Sequence, residues 1–232
     1  MSFTQAGGHK LIVEISNKIF KPTTKAEVDF YINNTSLNEF IPKFYGWYLF
    51  ISTDERFYKW IPTEIMNKII SKNYTHILIL ENLIDMTENN FIIDIKLGSR
   101  HWLSDTSQEI INNHLERNKN SLTLTHNFRI DGFICNGIVG KEKEDCRNLS
   151  INQVSGILSY LNDNTKRKLI IWINNLIDVL KKIDITIYGP SILISGTNDN
   201  PRFTLIDFAV YEIGLSDNLL EGLESFKSFL SQ

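Results

Sequence analysis

Between Phe91 and Arg100 an apolar run presents an aspartate and a lysine two positions apart, Asp94 and Lys96, and then turns through Gly98 to Arg100. Residues at i and i+2 of a strand project from the same face. A carboxylate and an ammonium would therefore stand side by side at a strand end that opens into a glycine turn. Such a pair could hold a nucleotide and a phosphorylated acceptor together, which is the positioning that phosphoryl transfer needs. An ordinary ion pair on a half-buried strand would leave the same local pattern, so the remaining features decide its weight.

Three such features lie in line with it. Lys21 ends an apolar run and precedes Glu27 on the next expected helix, a pairing that can fix a lysine against nucleotide phosphates; Glu27 could equally be the fourth residue of a capping box. The run Ile77-Leu-Ile-Leu80 leads into Glu81-Asn-Leu83, where extended backbone could offer a carbonyl and an amide to an adenine edge. Leu205-Ile-Asp207-Phe208 puts an aspartate at the end of an apolar strand, suited to holding Mg²⁺ against phosphate oxygens or, more simply, to capping the strand. Neither a Walker A loop nor an H-R-D catalytic loop is present.

The elements that must position these residues can be read from periodicity and turn chemistry. Leu11, Val13, Ile15 and Ile19 around Ser16-Asn17 predict a hairpin whose second strand stops at Pro22. Thr24-Lys-Ala-Glu27 fits a capping box and predicts a helix to about Asn34. Strands are expected over 44–52 and 74–80; the segment between them carries no clear period. A turn signal at Thr87 to Asn90 precedes the Asp94/Lys96 strand. Beyond it come a helix over 105–118, a strand over 128–135, a helix from Ile151 capped by Ser150 and Gln153, a long helix over 166–182, strands over 185–194 and 203–206 across a turn at 196–201, and a final helix over 216–230. The pattern changes after Leu80, which divides the chain into a first lobe (1–80), a hinge (81–85) and a second lobe (86–232).

Composition narrows the function. With 232 residues, 42% of them hydrophobic and 11% aromatic, the chain can bury a sizeable core without disulfides. A net charge of -3 supplies no basic field for nucleic acid, so a polyanionic ligand must be met by a local pocket. Two cysteines, Cys135 and Cys146, imply no oxidising compartment. No apolar run approaches the roughly 20 residues of a membrane span. A soluble monomer in the cytoplasm, and also in the nucleus, is expected, with a small-molecule substrate and neither nucleic acid nor membrane insertion.

Taken together, Asp94-Ile-Lys96-Leu-Gly98, Leu80-Glu-Asn-Leu83, Gly189-Pro-Ser191-Ile-Leu193 and Leu205-Ile-Asp207-Phe208-Ala resemble, in order and spacing, the inositol polyphosphate kinase family, whose signature is PxxxDxKxG followed by SSLL and IDF elements. The likeness runs from Gln5-Ala-Gly-Gly-His9, similar to the family's QVGGH, to the 214–220 segment. Three positions depart from it: Asn90 replaces the leading proline, Pro190 the first serine of SSLL, and Val210 a histidine often found after IDF-Ala. The compact 98–129 segment is more similar to the hexakisphosphate kinases and multikinases than to the calmodulin-regulated trisphosphate 3-kinases, and the Ser121-Leu-Thr stretch before Phe128-Arg-Ile-Asp-Gly132 looks more like the hexakisphosphate kinase branch.

The resemblance implies an α+β fold of two lobes, protein-kinase-like or ATP-grasp-like, with an antiparallel sheet in each and the ATP cleft between them. It implies Lys21 on the ATP phosphates, the Glu81 carbonyl and Leu83 amide on adenine, Asp94 on the ribose and near the acceptor, and Lys96 bridging the transferred group and the inositol phosphate. Asp207 would hold Mg²⁺, and His114, Arg117, Lys143 and Arg147 would bind substrate phosphates. The implied reaction is transfer of the γ-phosphoryl group of ATP to inositol hexakisphosphate, giving a pyrophosphate. The alternatives are a multikinase acting on ring hydroxyls of inositol trisphosphate or related acceptors, and a binding protein that senses inositol phosphates or nucleotides without turnover.

Overall fold

β1 (Val13–Ile15) and β2 (Lys18–Thr23) form a hairpin in which Ser16 and Asn17 take φ of 49° and 60°. Two successive left-handed residues match the twist of a two-residue hairpin turn, so the turn falls where the sequence puts it. Described in the computed structural model are residues 11–50, 63–84, 91–140, 143–214 and 217–232; Gln5 to His9 and the Thr87 to Asn90 turn lie outside them. The second strand continues through Pro22, which pairs with Ile77, instead of stopping there. Pairing with β1 ends at Phe20, so at Pro22 the strand has no β1 partner to miss its N–H.

α1 (Lys25–Asn33), a short 3₁₀ turn at Thr35–Leu37, β3 (Phe44–Leu49), α2 (Thr63–Ser71) and β4 (His76–Glu81) complete the first lobe. Its antiparallel sheet has the order β1-β2-β4-β3. α2 occupies the stretch without a clear period and buries Met66 and Ile69 against Ile77. The capping box expected at Thr24 does not form: Thr24 starts α1 without a side-chain cap, and the Glu27 carboxylate, the other half of the box, bonds Lys21 and the Phe208 amide instead.

The second lobe runs β5 (Phe91–Leu97), α3 (Gln108–Asn118), α4 (Leu122–His126), β6 (Phe128–Cys135), β7 (Ile138–Val139), α5 (Lys143–Arg147), α6 (Ile151–Leu158), α7 (Asp163–Leu180), β8 (Ile185–Ile187), β9 (Ser191–Gly196), β10 (Pro201–Ile206), β11 (Tyr211–Ile213) and α8 (Asn218–Leu230). Its main sheet, β10-β9-β5-β6-β7, is antiparallel throughout; β8 and β11 pair apart from it. The single strand expected over 185–194 is split, because Gly189 adopts φ +60° between β8 and β9. The box at the start of α6 forms as expected, with Ser150 and Gln153 bonding reciprocally.

β5 is the central strand, and its alternation separates core from cleft. Phe91, Ile93, Ile95 and Leu97 point into the main core with α7 and α8 residues such as Leu169, Ile173, Leu223 and Phe226. The other face carries Ile92, Asp94 and Lys96. The fold is thus two-lobed and kinase-like, with an antiparallel sheet in each lobe.

Candidate active site

The cleft-facing side of β5 forms a graded line. Ile92 lies with Leu83, Ile134 and Leu193 in a small apolar cluster that Ile84 and Ile206 flank. Two residues along comes Asp94, and two further Lys96, which reaches to 3.9 Å from Asp207 Oδ2. An apolar slot thus grades into carboxylates and then cations, matching the order base, ribose, phosphate along a nucleotide. The Ser195 hydroxyl donates to the Leu83 carbonyl at 3.3 Å, tying the joining segment to β9. Glu81 pairs with Arg202 at 2.6 Å through its side chain.

Lys21 is the most tightly held cation. Its Nζ lies 2.7 Å from Glu27 Oε1 and 2.8 Å from Asp207 Oδ1. Glu27 is 1% exposed, and also accepts from the Thr23 hydroxyl and from the Phe208 amide at 3.1 Å. A buried carboxylate is tolerable only with such full pairing. α1 aims it, since Phe30 stacks on Phe208 with ring centroids 4.2 Å apart, anchoring the helix to the very segment that carries Asp207. Burial would lower the Lys21 pKa, but Asp207 and Glu27 outweigh it and raise it. Lys21 is a permanent cation.

Asp207 adopts φ +69°, which turns its carboxylate out of the strand and leaves 42% of the side chain exposed. Aspartate is among the few residues that tolerate this conformation. Asp94 is its opposite: 6% exposed, with Oδ1 buried and lacking a hydrogen-bond partner. Burial, then the charges of Asp131 and Asp207, push its pKa up to about 6 against the pull of Lys96 and Ser191. Ser191 Oγ is near enough to act on this carboxyl, yet makes no hydrogen bond of normal geometry. Among the described residues no three His, Cys, Asp or Glu side chains converge as a complete protein metal cage would. A half-exposed Asp207 fits instead an ion whose shell is completed by phosphates and water, the habit of Mg²⁺.

The cleft opens into a cavity of about 570 Å³ lined by Lys21, Lys96 and Asp207 together with His114, Arg117 and Arg147, among others. α3 presents His114 and Arg117 on one face, and Trp102 packs its ring 5.8 Å from that of His114. Burial, with Arg117, Arg129 and Arg147 nearby, lowers the His114 pKa. Lys143 opens α5, four residues before Arg147; its side chain lies outside the described residues. Val210 lines the cavity where the family often has histidine.

Of the lining residues that carried no role in the sequence reading, three bear on the charge and shape of the site. Arg129 donates to Asp131 at 2.7 Å and to the Thr123 hydroxyl at 2.7 Å, with both charged groups buried. Asp131 is the extra residue of a β-bulge opposite the Asp94/Ile95 step, and the bulge re-aims its carboxylate toward Asp94. The i, i+2 spacing of Arg129 and Asp131, the same as that of Asp94 and Lys96, was a readable signal. The third is His101, whose place depends on a loop conformation that spacing does not encode.

Fold and site together define a two-lobed, kinase-like protein whose cleft gathers lysines, arginines and carboxylates. Comparison with known proteins names the family: the inositol polyphosphate kinase model matches residues 77–231, and the chain belongs to that family. It is 31% identical over 135 residues to inositol polyphosphate multikinase of Schizosaccharomyces pombe, covering 56% of this chain and 49% of that protein. To inositol polyphosphate multikinase alpha of Arabidopsis thaliana it is 38% identical over 56 residues, 24% of this chain and 20% of that one. The chain spans about half the length, or less, of these curated relatives. Among solved structures, the inositol phosphate multikinase of S. cerevisiae in complex with ADP and Mn²⁺ superposes with a TM-score of 0.71 at 19% identity, over 93% of this chain and 98% of that one. A second inositol phosphate multikinase gives 0.66 at 22% identity, over 88% and 98%. The names are those of multikinases and not of hexakisphosphate kinases.

Proposed function

We propose that this protein is an ATP-dependent inositol polyphosphate kinase that transfers the γ-phosphoryl group to a ring hydroxyl of a partly phosphorylated inositol. The observation that carries the proposal is the triangle of Lys21, Lys96 and Asp207 at the mouth of a cavity lined by further cations. Multikinase names among the relatives favour a hydroxyl acceptor over the phosphate of inositol hexakisphosphate. So does Asp94: a phosphate acceptor is already ionised and needs no base, whereas a hydroxyl must lose its proton, and Asp94 offers an unpartnered carboxylate oxygen.

In this reading residues 81–85 join the lobes, and adenine lies in the apolar slot against the Glu81 carbonyl and Leu83 amide. Asp94 meets the ribose on one side and the acceptor hydroxyl on the other. Lys21 and Lys96 neutralise charge on the transferring group, a contribution that grows where water is excluded. A divalent ion, held by Asp207 together with the phosphates, would supply charge neutralisation and orient the leaving oxygen. His114, Arg117, Arg147 and Lys143 grip the phosphates already on the ring, so acceptor affinity should fall with salt. Phosphoryl transfer needs little covalent help from the protein, and these residues supply positioning and electrostatics.

The test is ATP consumption with Mg²⁺ and either inositol trisphosphate or inositol hexakisphosphate, with products resolved by phosphorus NMR. New monoester signals from the trisphosphate support the proposal. A β-phosphate signal from hexakisphosphate would replace it with the pyrophosphate-forming reading, and no turnover with either acceptor would leave a binding protein.

A further inference from the structure

The mechanism above gives His101 no role, although its ring lines the cavity beside Lys96. Its Nε2 lies 2.9 Å from the Gly98 carbonyl oxygen. A carbonyl can only accept, so the proton is on Nε2 and the lone pair on Nδ1. The ring is also fixed in place. A Cβ built on Gly189 would come within 2.9 Å of His101 Cδ2 and 3.3 Å of Lys96 Cε, so the bare Gly189 backbone is what lets the two side chains pack together. The loop carrying the ring is clasped at both ends: Asn218 accepts from the Ser99 and Arg100 amides at 3.0 and 2.8 Å, and Glu212 accepts from the Ser104 hydroxyl at 2.8 Å. Burial, helped by Lys96 and Arg129, pushes the imidazole pKa down to about 3. Nδ1 makes no hydrogen bond with the described residues. The ring is a fixed, neutral acceptor in a cavity that also holds the cations of Lys96, Arg117 and Arg147 and the carboxylates of Glu27, Asp131 and Asp207.

A lone pair in such a place selects between chemical groups. A hydroxyl can donate to it; a phosphate dianion brings only acceptor oxygens and would set lone pair against lone pair. We propose that His101 is a specificity-determining residue of the acceptor site, taking a hydrogen bond through Nδ1 from a ring hydroxyl and turning away a phosphate at the same ring position. The inference rests on the inositol phosphate reading of the cavity and deepens it. It also assigns the discrimination between hydroxyl and phosphate acceptors to one side chain.

Calorimetric titration of inositol trisphosphate and of inositol hexakisphosphate into the wild-type protein, His101→Ala and His101→Gln tests it, alongside turnover of the trisphosphate and the KM for ATP. Alanine removes the acceptor, and glutamine can turn an N–H toward the ligand at unchanged charge. In both variants the ratio of trisphosphate to hexakisphosphate affinity should fall about tenfold, the size of one hydrogen bond lost against an unpaired polar group. The KM for ATP should stay within about twofold. A ratio unchanged in both variants, or equal loss for both ligands, overturns the inference while the kinase reading stands. Absence of binding and turnover for every inositol phosphate by the wild-type protein would remove the functional reading and the inference with it.

Discussion

Lys21 and Asp207 lie 2.8 Å apart across 186 residues of sequence. The pair joins the first sheet to the end of β10 and so closes the cleft with a salt bridge between the lobes. Its worth as a stability element is small, because Asp207 is 42% exposed and such pairs are screened. Its worth as a site is larger, since it fixes one cation and one carboxylate where phosphate oxygens and a divalent ion would meet.

Asp207→Asn should therefore remove activity with little effect on folding. Losing the charge that holds the ion should lower kcat by about 10² to 10³. The melting temperature should move by only a few degrees. Turnover by this variant at the wild-type rate, measured by coupled ATP hydrolysis with acceptor present, would sink the metal assignment.

Glu27→Gln separates positioning from charge neutralisation. Glu27 holds Lys21 at 2.7 Å and accepts from the Phe208 amide at 3.1 Å. A glutamine whose amide oxygen takes the Oε1 place keeps both bonds but not the charge, and it turns an N–H toward the buried Thr23 hydroxyl, which donates to Oε2 in the wild type. Lys21 would then lean on Asp207 alone for charge, and the KM for ATP should rise about tenfold. Stability should also fall, by about 1–3 kcal/mol, since a buried donor loses its acceptor. Chemical denaturation with parallel ATP titration reads both.

The sequence made much of this legible, and its failures have physical causes. Asp94 and Lys96 share a face because strand alternation is rigid, and the sequence shows it outright. Glu27 was ambiguous because Thr24-x-x-Glu27 satisfies the capping pattern whether or not the carboxylate stays at home; only the proximity of Lys21 and Phe208, set by tertiary packing, draws it away. Arg129 and Asp131 show the same i, i+2 spacing as Asp94 and Lys96, but the bulge that leaves Asp131 without a partner on β5 is announced by no local pattern. His101 escaped notice for a similar reason: its place depends on a clasp by Asn218, more than a hundred residues downstream.

Asp94 makes both stability and activity depend on pH, with opposite signs. Its pKa rises from 3.8 to about 6 on folding, so the folded state binds the proton more tightly than the unfolded one. The associated stability is fully present below about pH 4 and is lost as pH rises to about 6, on the order of 3 kcal/mol in all. Asp94→Asn should accordingly gain stability over wild type at pH 8 and little at pH 4.5. As a base the same group must be ionised, so kcat/KM for a hydroxyl acceptor should climb with pH and level off above about 6. A flat profile between pH 5 and 8 would take the base role from Asp94.

Gly98 and Asn218 make the turn after Lys96 depend on the last helix. Gly98 adopts φ +78°, and a Cβ there would lie 2.4 Å from Asn218 Nδ2; a Cβ on Gly222 of α8 would lie 2.6 Å from the Gly98 amide nitrogen. The helix is pressed against the turn, and Asn218 completes the contact by accepting from the Ser99 and Arg100 amides and donating to the Arg100 carbonyl. Asn218→Ala removes all three and leaves two amides unpaired, costing about 1–3 kcal/mol. Because the loop also supports His101 beside Lys96, kcat should fall about tenfold, while the KM for ATP, whose proposed contacts do not include this loop, stays near wild type. Asn218→Asp keeps both accepting bonds and loses only the donated one, so it should recover most of the rate. If the aspartate variant is as slow as the alanine one, or if both leave kcat untouched despite lower melting temperatures, the clasp supports the fold alone and does not set the geometry of the reacting groups.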